Sequence, residues 1–318
     1  MEYRRLGNSG LEVSAVGLGA NNFGARIDVK QSALVIDQAL DIGINLIDTS
    51  NSYGPMLSEE YIGKALKGKR SEAVIATKVA SAMGTGPNQK GTSRAHILYE
   101  VEKSLQRLQT DYIDVFYLHR PDPSTPIAET LRALDDLIHQ GKVRYIGCSG
   151  FSAWAICEAI WQSKTLNVHA FSAAMFHHSV MTRDPERVSF CNAYNVGIVP
   201  FYALENGFLT GKYRRGQPIP DGTRFGKSDV SWMNSSRTRT LTDTNFDVLE
   251  NLEGFAEERG KKVGDLALAW LLANRNVSSV LAGATKPEQV VDNAAACEWK
   301  LTQDDMAEIE NIFSASRQ

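Results

Sequence analysis

A chain of 318 residues is long enough for two ordinary domains or for one large α/β barrel. Its composition, 43% hydrophobic, 22% charged and 8% aromatic, supplies a sizeable core and excludes wholesale disorder. A net charge of −3 provides no global basic field to hold nucleic acid or an anionic membrane.

Taken in chain order, Tyr3 to Leu6 and Leu11 to Val13 flank Gly7-Asn-Ser-Gly10 and predict a small hairpin placed at a barrel floor. Ser14 to Leu18 then predicts a strand and Val29 to Leu40 a helix. The unit repeats as strand Asn45 to Asp48 with helix Glu59 to Leu66, and as the apolar strand Ala73 to Thr77 with helix Arg94 to Leu108. Strand Ile113 to Leu118 precedes helix Ile127 to His139, which Gly141 is suited to terminate before strand Val143 to Ile146. Helix Trp154 to Gln162, strand His169 to Ala174, helix Asp184 to Tyr194 and strand Gly197 to Phe201 follow. Strand Val277 to Leu281 and helix Glu288 to Ala296 complete about eight strand–helix units. Strict alternation calls for parallel strands with right-handed crossovers, and that number closes into a (β/α)8 TIM barrel with an N-terminal β-hairpin, a single domain over residues 1–318.

One segment breaks the rhythm. Between Phe201 and a helix near Asn245 lie about forty residues rich in Gly, Pro, Arg, Ser and Thr, a length that marks a functional or disordered loop. The opening MEYRRLGNSG lacks the apolar core of a signal peptide, and the longest clean apolar stretch, Leu266 to Ala273, is far too short to span a bilayer. The expectation is a cytoplasmic protein without a membrane partner. Cys148, Cys157, Cys191 and Cys297 are scattered without a CxxC pair, which fits a reducing compartment and four buried free thiols rather than disulfides or a zinc knuckle. His177 and His178 are adjacent on a strand end and so face opposite ways, which argues against a metal site.

In a (β/α)8 barrel the residues just past the C-terminal strand ends meet at one mouth. Asp48 ends the second barrel strand, Tyr53 follows in its loop, Lys78 ends the third strand and His119 the fourth. Together they form an acid–base set. A phenol is a poor proton donor at neutral pH unless a nearby ammonium stabilises its phenolate. Lys78 supplies that ammonium, Asp48 holds it charged by pairing, and His119 is suited to hydrogen-bond a substrate oxygen or pass a proton. Taken singly, each also has a structural reading: Asp48 as a cap, Lys78 as a salt-bridge partner, His119 as an interior histidine and Tyr53 as loop packing. Their coincidence at successive strand ends favours chemistry.

The stretches Leu46-Ile-Asp-Thr-Ser-Asn-Ser-Tyr-Gly54 with Ser58-Glu59, Thr77-Lys78, Ser104 to Asp114 running into Leu118-His119-Arg-Pro-Asp122, and Gly141 to Gly147 resemble the aldo-keto reductases in order and spacing. Gly207-Phe-Leu-Thr-Gly-Lys-Tyr213 is most similar to the bacterial reductase and potassium-channel β-subunit branch. The resemblance implies an NADP(H) cofactor, with NAD(H) the less favoured alternative, and a small carbonyl or alcohol substrate. It makes Tyr53 the general acid in reduction, Lys78 and Asp48 its electrostatic support, and His119 the orienting group. Carried over residue by residue, it assigns Ser149 to the carboxamide and Phe201 to stacking on the nicotinamide. Gly207, Leu209 and Lys212 go to the pyrophosphate, and Gly283, Thr285, Lys286, Gln289 and Asn293 to the adenosine end. Phe23, Arg120 and Trp232 are candidates for the substrate pocket.

The sequence departs from the family pattern at Gly150, where an asparagine is usual, at Met175, where a glutamine is expected, at His178, where a tyrosine is common, and at Thr285, where an arginine often faces the 2′-phosphate. Two alternatives therefore stand beside a reductase. One is a nucleotide-binding redox sensor or adaptor similar to the channel β subunits; the other is an NAD+-dependent sugar or alcohol dehydrogenase using the same residues in reverse. Oligomeric state leaves no mark in the sequence.

Overall fold

The computed structural model describes residues 1–226 and 231–316, the side chains of 231 and 232 excepted. Strands β1 (Tyr3–Arg5) and β2 (Glu12–Ser14) pair antiparallel as the expected hairpin. Eight further strands form one sheet: β3 (Val16–Gly19), β4 (Leu46–Asp48), β5 (Val74–Val79), β6 (Ile113–Leu118), β7 (Val143–Ser149), β8 (Ala173–His177), β9 (Gly197–Phe201) and β10 (Val280–Gly283). They neighbour one another in chain order, and β10 returns to pair parallel with β3. The ring is closed between β9 and the chain entering β10, where Ile198 N donates to Asn276 O and Ser278 N to Ile198 O, both at 2.9 Å. The (β/α)8 architecture read from the alternation is therefore the observed one.

The connecting helices are α1 (Val29–Asp41), α2 (Leu57–Ala65), α3 (Arg94–Leu108), α4 (Ile127–His139), α5 (Ala153–Leu166) and α6 (Pro185–Tyr194), each packed on the next. Side-chain caps begin several of them: Asp28 accepts from Gln31 N, Ser93 from His96 N, Ser152 from Ala155 N and Asp184 from Arg187 N. Gly141, just past α4, is left-handed at φ +74°, as its terminator role requires. Several strand boundaries differ from the reading: β5 and β7 run on past Thr77 and Ile146 to Val79 and Ser149, and β8 ends at His177 rather than Ala174. β8 begins at Ala173 rather than His169, and β10 at Val280 rather than Val277, because the apolar runs there include residues that approach the sheet without a regular ladder. Cys148, Cys191 and Cys297 are buried, but Cys157 is only half-buried on α5, correcting the expectation that all four are interior.

By its internal packing the chain comprises two compact units. The first is residues 1–176, 184–201 and 276–291, the second residues 177–183, 202–275 and 292–318. In the first, Leu46, Ala76, Val115, Tyr117, Ala173, Met175, Val199 and Leu281 fill the barrel, and Leu6 and Val13 of the hairpin close its floor. Shape matching is tight here: a Cβ on Gly147 would lie 2.3 Å from the Tyr117 ring, so only glycine admits that aromatic.

In the second unit, the long irregular segment is not featureless. It carries two 3-10 turns within Glu205–Thr210, broken by left-handed Asn206 and Gly207, and helix α7 (Ser231–Thr240), and is followed by α8 (Asp243–Glu257) and α9 (Val263–Leu272). The apolar stretch noted in the sequence is α9. Phe208, Leu209, Tyr213, Phe225, Phe246, Leu252, Phe255, Leu266 and Ile309 form this unit's core, the last from α11 (Gln303–Ala315), which follows α10 (Pro287–Ala295) in the chain. Among the described residues no helix is long and apolar enough to cross a membrane.

At the N-terminal side of the sheet, Asp114 ties three elements together. Its carboxylate accepts from Arg70 Nη2 at 2.7 Å, Arg144 Nη1 at 2.9 Å and Ile75 N at 2.9 Å. The two guanidinium groups also lie over the Tyr112 ring, at 4.0 and 3.7 Å from its centroid. Asp114→Ala is expected to destabilise the chain by about 2–3 kcal/mol, less than for a fully buried pair because Arg144 can rehydrate, while leaving nucleotide affinity unchanged. Urea unfolding together with nucleotide titration checks both.

Candidate active site

The first unit brings Asp48, Tyr53, Lys78 and His119 to one place. Parallel pairing of β4 with β5 and of β5 with β6 sets Asp48 opposite Ala76 and Lys78 opposite Tyr117, and His119 N donates to Val79 O at 2.8 Å. The turn after β4 presents Tyr53. Gly54 holds that turn closed at φ +58°, and a Cβ there would sit 1.9 Å from Phe23 O.

Lys78 Nζ donates to Asp48 Oδ1 and to Thr49 O, each at 2.6 Å, and stands 3.5 Å from the Tyr53 hydroxyl and 4.8 Å from its ring centroid. Lys78 and Asp48 are 1% and 4% exposed, so the pair is withdrawn from solvent. Burial pulls the Lys78 ammonium toward deprotonation, but Asp48 and Tyr53 more than offset this and hold it above its ordinary range. Burial lifts the Asp48 carboxyl, with Lys78 pulling against it. Asp48 Oδ2 is buried and accepts no hydrogen bond from the protein.

His119 sets its ring edge-on to Tyr53, with centroids 5.6 Å apart. Its Nδ1 lies 3.2 Å from Ser50 Oγ and 3.1 Å from Ser81 Oγ. Burial, then the positive charges of Lys78 and Arg120, lowers its pKa from 6.5 to about 3, so the imidazole is neutral in use.

A buried network stands behind these groups. Glu59 of α2, fully sequestered, accepts from Thr77 Oγ1 and from Arg107 Nε of α3, both at 2.6 Å. Glu100 of α3 accepts from Asn51 Nδ2 at 2.9 Å. Ser58 Oγ meets Thr49 Oγ1 at 2.8 Å and donates to Ala20 O at 2.9 Å. The neighbours of Lys78 and Tyr53 are thus fastened to the helices behind the barrel. Ser50, Ser52, Ser81, Asn51 and Glu100 did not emerge from the sequence; the hydroxyl-rich Ser50-Asn-Ser52 run beside a strand-end Asp was the available signal.

The remaining candidates are distributed more widely. In the first unit, Ser149 ends β7 and is buried, and Phe201 ends β9 packed against the barrel interior. Gly150 follows at φ +71° with its N donating to Met175 O at 2.9 Å, and the Met175 side chain is consumed in the barrel core. Neither provides a side-chain amide.

A shallow cavity of about 560 Å3 is lined by Arg26, Ile27, Gln31, Leu34 and the chain from Thr285 to Glu288, just past Gly283. Arg26, also absent from the sequence reading, here joins Lys286 and the start of α10. The Gln289 side-chain oxygen Oε1 accepts from Thr285 N at 2.8 Å and Thr285 Oγ1 at 3.2 Å, so it serves as a helix-entry cap. Arg120 is exposed, whereas the Phe23 ring is sealed in the core.

In the second unit, Gly207 is left-handed at φ +92°, and a Cβ there would lie 2.6 Å from Lys212 Nζ. The Leu209 side chain belongs to the core, leaving only its backbone to meet a ligand, and Asn293 is half-buried. The Trp232 side chain lies outside the described residues. His177 Nε2 pairs with Glu205 Oε1 at 2.8 Å while His178 turns toward the Trp270 ring, 5.3 Å between centroids, so the adjacent histidines diverge as their strand position dictates. Among the described residues no group of three His, Cys, Asp or Glu side chains is arranged to hold a metal.

Because the folded-state pKa of His119 lies below its ordinary 6.5, the folded state resists a proton that the unfolded chain binds. Stability contributed at this site is complete above about pH 6.5 and falls as pH drops toward about 3. Nitrogen-15 NMR is expected to show His119 neutral well below pH 6.5, and His119→Asn to flatten the acid-side loss of stability.

The profile of the Aldo/keto reductase family matches residues 15–313. Similar proteins include one named "Probable voltage-gated potassium channel subunit beta" in Oryza sativa subsp. japonica, 37% identical over 303 residues that cover 93% of this chain and 91% of that protein. Its namesake in Arabidopsis thaliana shows the same values. A "Putative voltage-gated potassium channel subunit beta" of Schizosaccharomyces pombe is 39% identical over 325 residues, covering 98% of this chain and 93% of that protein. With the barrel and its mouth already described, these matches show that the chain belongs to the aldo/keto reductase family, whose members are oxidoreductases that generally use NAD(P)H on small molecules.

Proposed function

We propose that this chain is a cytoplasmic NADP(H)-dependent oxidoreductase that interconverts a carbonyl and an alcohol, with Tyr53 as the general acid in reduction. The observation that carries this reading is the Tyr53 hydroxyl 3.5 Å from a buried, Asp48-paired ammonium. A fixed positive charge there stabilises the phenolate that remains when the phenol gives up its proton. Asp48 keeps Lys78 in place and charged. His119, neutral, offers a donor to the reacting oxygen. In the oxidative direction the same residues act in reverse, with Tyr53 receiving the proton.

Two features fit a dinucleotide. The unpartnered, buried Asp48 Oδ2 suits a sugar hydroxyl, and the cavity at the start of α10 combines Arg26, Lys286 and a helix N-terminus, which suits a phosphate. When bound, the cofactor supplies or accepts the hydride equivalent. Ser149 and Phe201 would hold its nicotinamide; Gly283, Thr285, Lys286, Gln289 and Asn293 would meet its adenosine end; Gly207, Leu209 and Lys212 are assigned to its pyrophosphate. In this reading the chain works as one domain over residues 1–318. Arg120 is retained as a substrate contact.

A second reading is favoured by the names of the relatives and by the missing amides at Gly150 and Met175: a nucleotide-binding regulatory subunit with incidental turnover. NADPH consumption across a broad carbonyl panel separates the two, because tight binding without any substrate-dependent oxidation supports the regulatory role.

Tyr53→Phe is expected to lower kcat by about 100-fold or more with NADPH affinity nearly unchanged; full turnover in that variant would sink the assignment of the acid. Replacing Arg26 and Lys286 together by alanine is expected to weaken NADPH binding by about ten-fold or more and NADH binding little, as fluorescence titration of each nucleotide would show. Equal loss for both would remove the basis for NADP preference.

A further inference from the structure

His119 is bordered by three serine hydroxyls that the acid–base set does not use. Ser50 is fully buried and Ser81 6% exposed, while Ser52 is only half-buried. Besides the two contacts to Nδ1, Ser50 Oγ lies 3.1 Å from Ser52 Oγ, and Ser52 Oγ donates to Ser81 Oγ at 3.3 Å. The three hydroxyls and the imidazole nitrogen form a closed ring of neighbours.

Counting protons decides how this ring is ordered. A neutral imidazole has one N–H and one acceptor nitrogen, and each hydroxyl has a single proton to give. With Ser52 donating to Ser81, the Ser81 proton is left for Nδ1. Ser50 is already an acceptor, from Ser52 N at 3.3 Å, and its own proton has Asn51 Oδ1 at 3.4 Å. Asn51 is oriented by giving its amide nitrogen to Glu100, which leaves its oxygen to face Ser50. In this arrangement each hydroxyl proton has a destination and Nδ1 is an acceptor, so the imidazole proton resides on Nε2, across the ring from the serines.

We propose that Ser50, Ser52 and Ser81 are positioning residues that fix His119 as its Nε2–H tautomer, so that this nitrogen serves as a hydrogen-bond donor to the reacting oxygen. The proposal rests on the oxidoreductase reading of Tyr53 and His119 and deepens it. Without the serine donors, the tautomer with Nδ1 protonated would leave Nε2 an acceptor, which repels a substrate oxygen. Ser81 is the principal donor and Ser50, 3.2 Å away, its substitute, so both must be removed to release the ring.

The test combines a structural and a kinetic readout. In the chain labelled with nitrogen-15 histidine, His119, identified by the signal lost in His119→Asn, is expected to show an unprotonated Nδ1 and a protonated Nε2. Ser50→Ala with Ser81→Ala is expected to mix the two tautomers and to lower kcat for NADPH-dependent reduction of 4-nitrobenzaldehyde by about ten-fold, with NADPH affinity unchanged. Ser81→Thr, which restores one hydroxyl in the Ser50→Ala background, is expected to recover most of the loss. A protonated Nδ1 in the parent chain, an undiminished kcat in the double variant, or a loss of kcat without a change of tautomer would each overturn the proposal. Tyr53→Phe tests the underlying reading separately: if it stays active, the acid assignment fails whatever the serines do. The tautomer measurement needs no turnover.

Discussion

The Lys78–Asp48 ion pair is the interaction on which the rest of the candidate site depends. Two opposite charges, almost wholly removed from water, are costly to bury and are tolerated only with close geometry and additional partners. Here the ammonium reaches Asp48, a backbone carbonyl and the neighbourhood of a phenol in one arrangement. This same charge contributes to keeping His119 neutral. One cation thereby bears on two neighbours, standing 3.5 Å from the Tyr53 hydroxyl and disfavouring protonation of the His119 imidazole. Removing it would disturb both, so its loss could not be interpreted as that of a single contact.

That cation cannot hold its position alone. Thr77, next to Lys78 in β5, is anchored by Glu59, which is anchored by Arg107; Asn51, between two of the serines, is anchored by Glu100 on the same helix as Arg107. The strand ends and the turn carrying Tyr53 are therefore connected to α2 and α3 through buried carboxylates. Each buried carboxylate is satisfied, Glu59 by Thr77, the neighbour of Lys78, and Glu100 by Asn51 in the turn that leads to Tyr53.

Much of this was legible in the sequence, for identifiable reasons. Strand and helix patterns of long, strongly periodic segments such as Arg94 to Leu108 are set by local chemistry and were read at their observed limits. The four strand-end residues were legible because barrel topology turns a position along a strand into a position in space. Arg26 was not, because its relevance comes from the closure of the ring, which puts the loop after β3 beside that after β10 although the two are far apart in the chain. The serines were missed because hydroxyl residues are common in turns, and only the location of His119 Nδ1 distinguishes these three. Helix α7 was hidden in a weakly patterned segment rich in turn formers. Phe23 shows the converse error of emphasis, an aromatic in a loop that looks available for ligand and is in fact enclosed.

The fit of Gly147 against Tyr117 bears on how such a barrel can diversify. A glycine that accommodates an aromatic ring inside the barrel, together with a floor closed by Leu6 and Val13, makes the interior a matched set of volumes in which one enlargement forces another. Past the strand ends the constraint is uneven: the turn at Gly54 is as tightly fitted, whereas Arg120, beyond β6, is exposed. Variation in what the protein acts on is therefore channelled to the rim by the intolerance of the interior, and the barrel acts as a fixed mould whose edge alone is free to be recut.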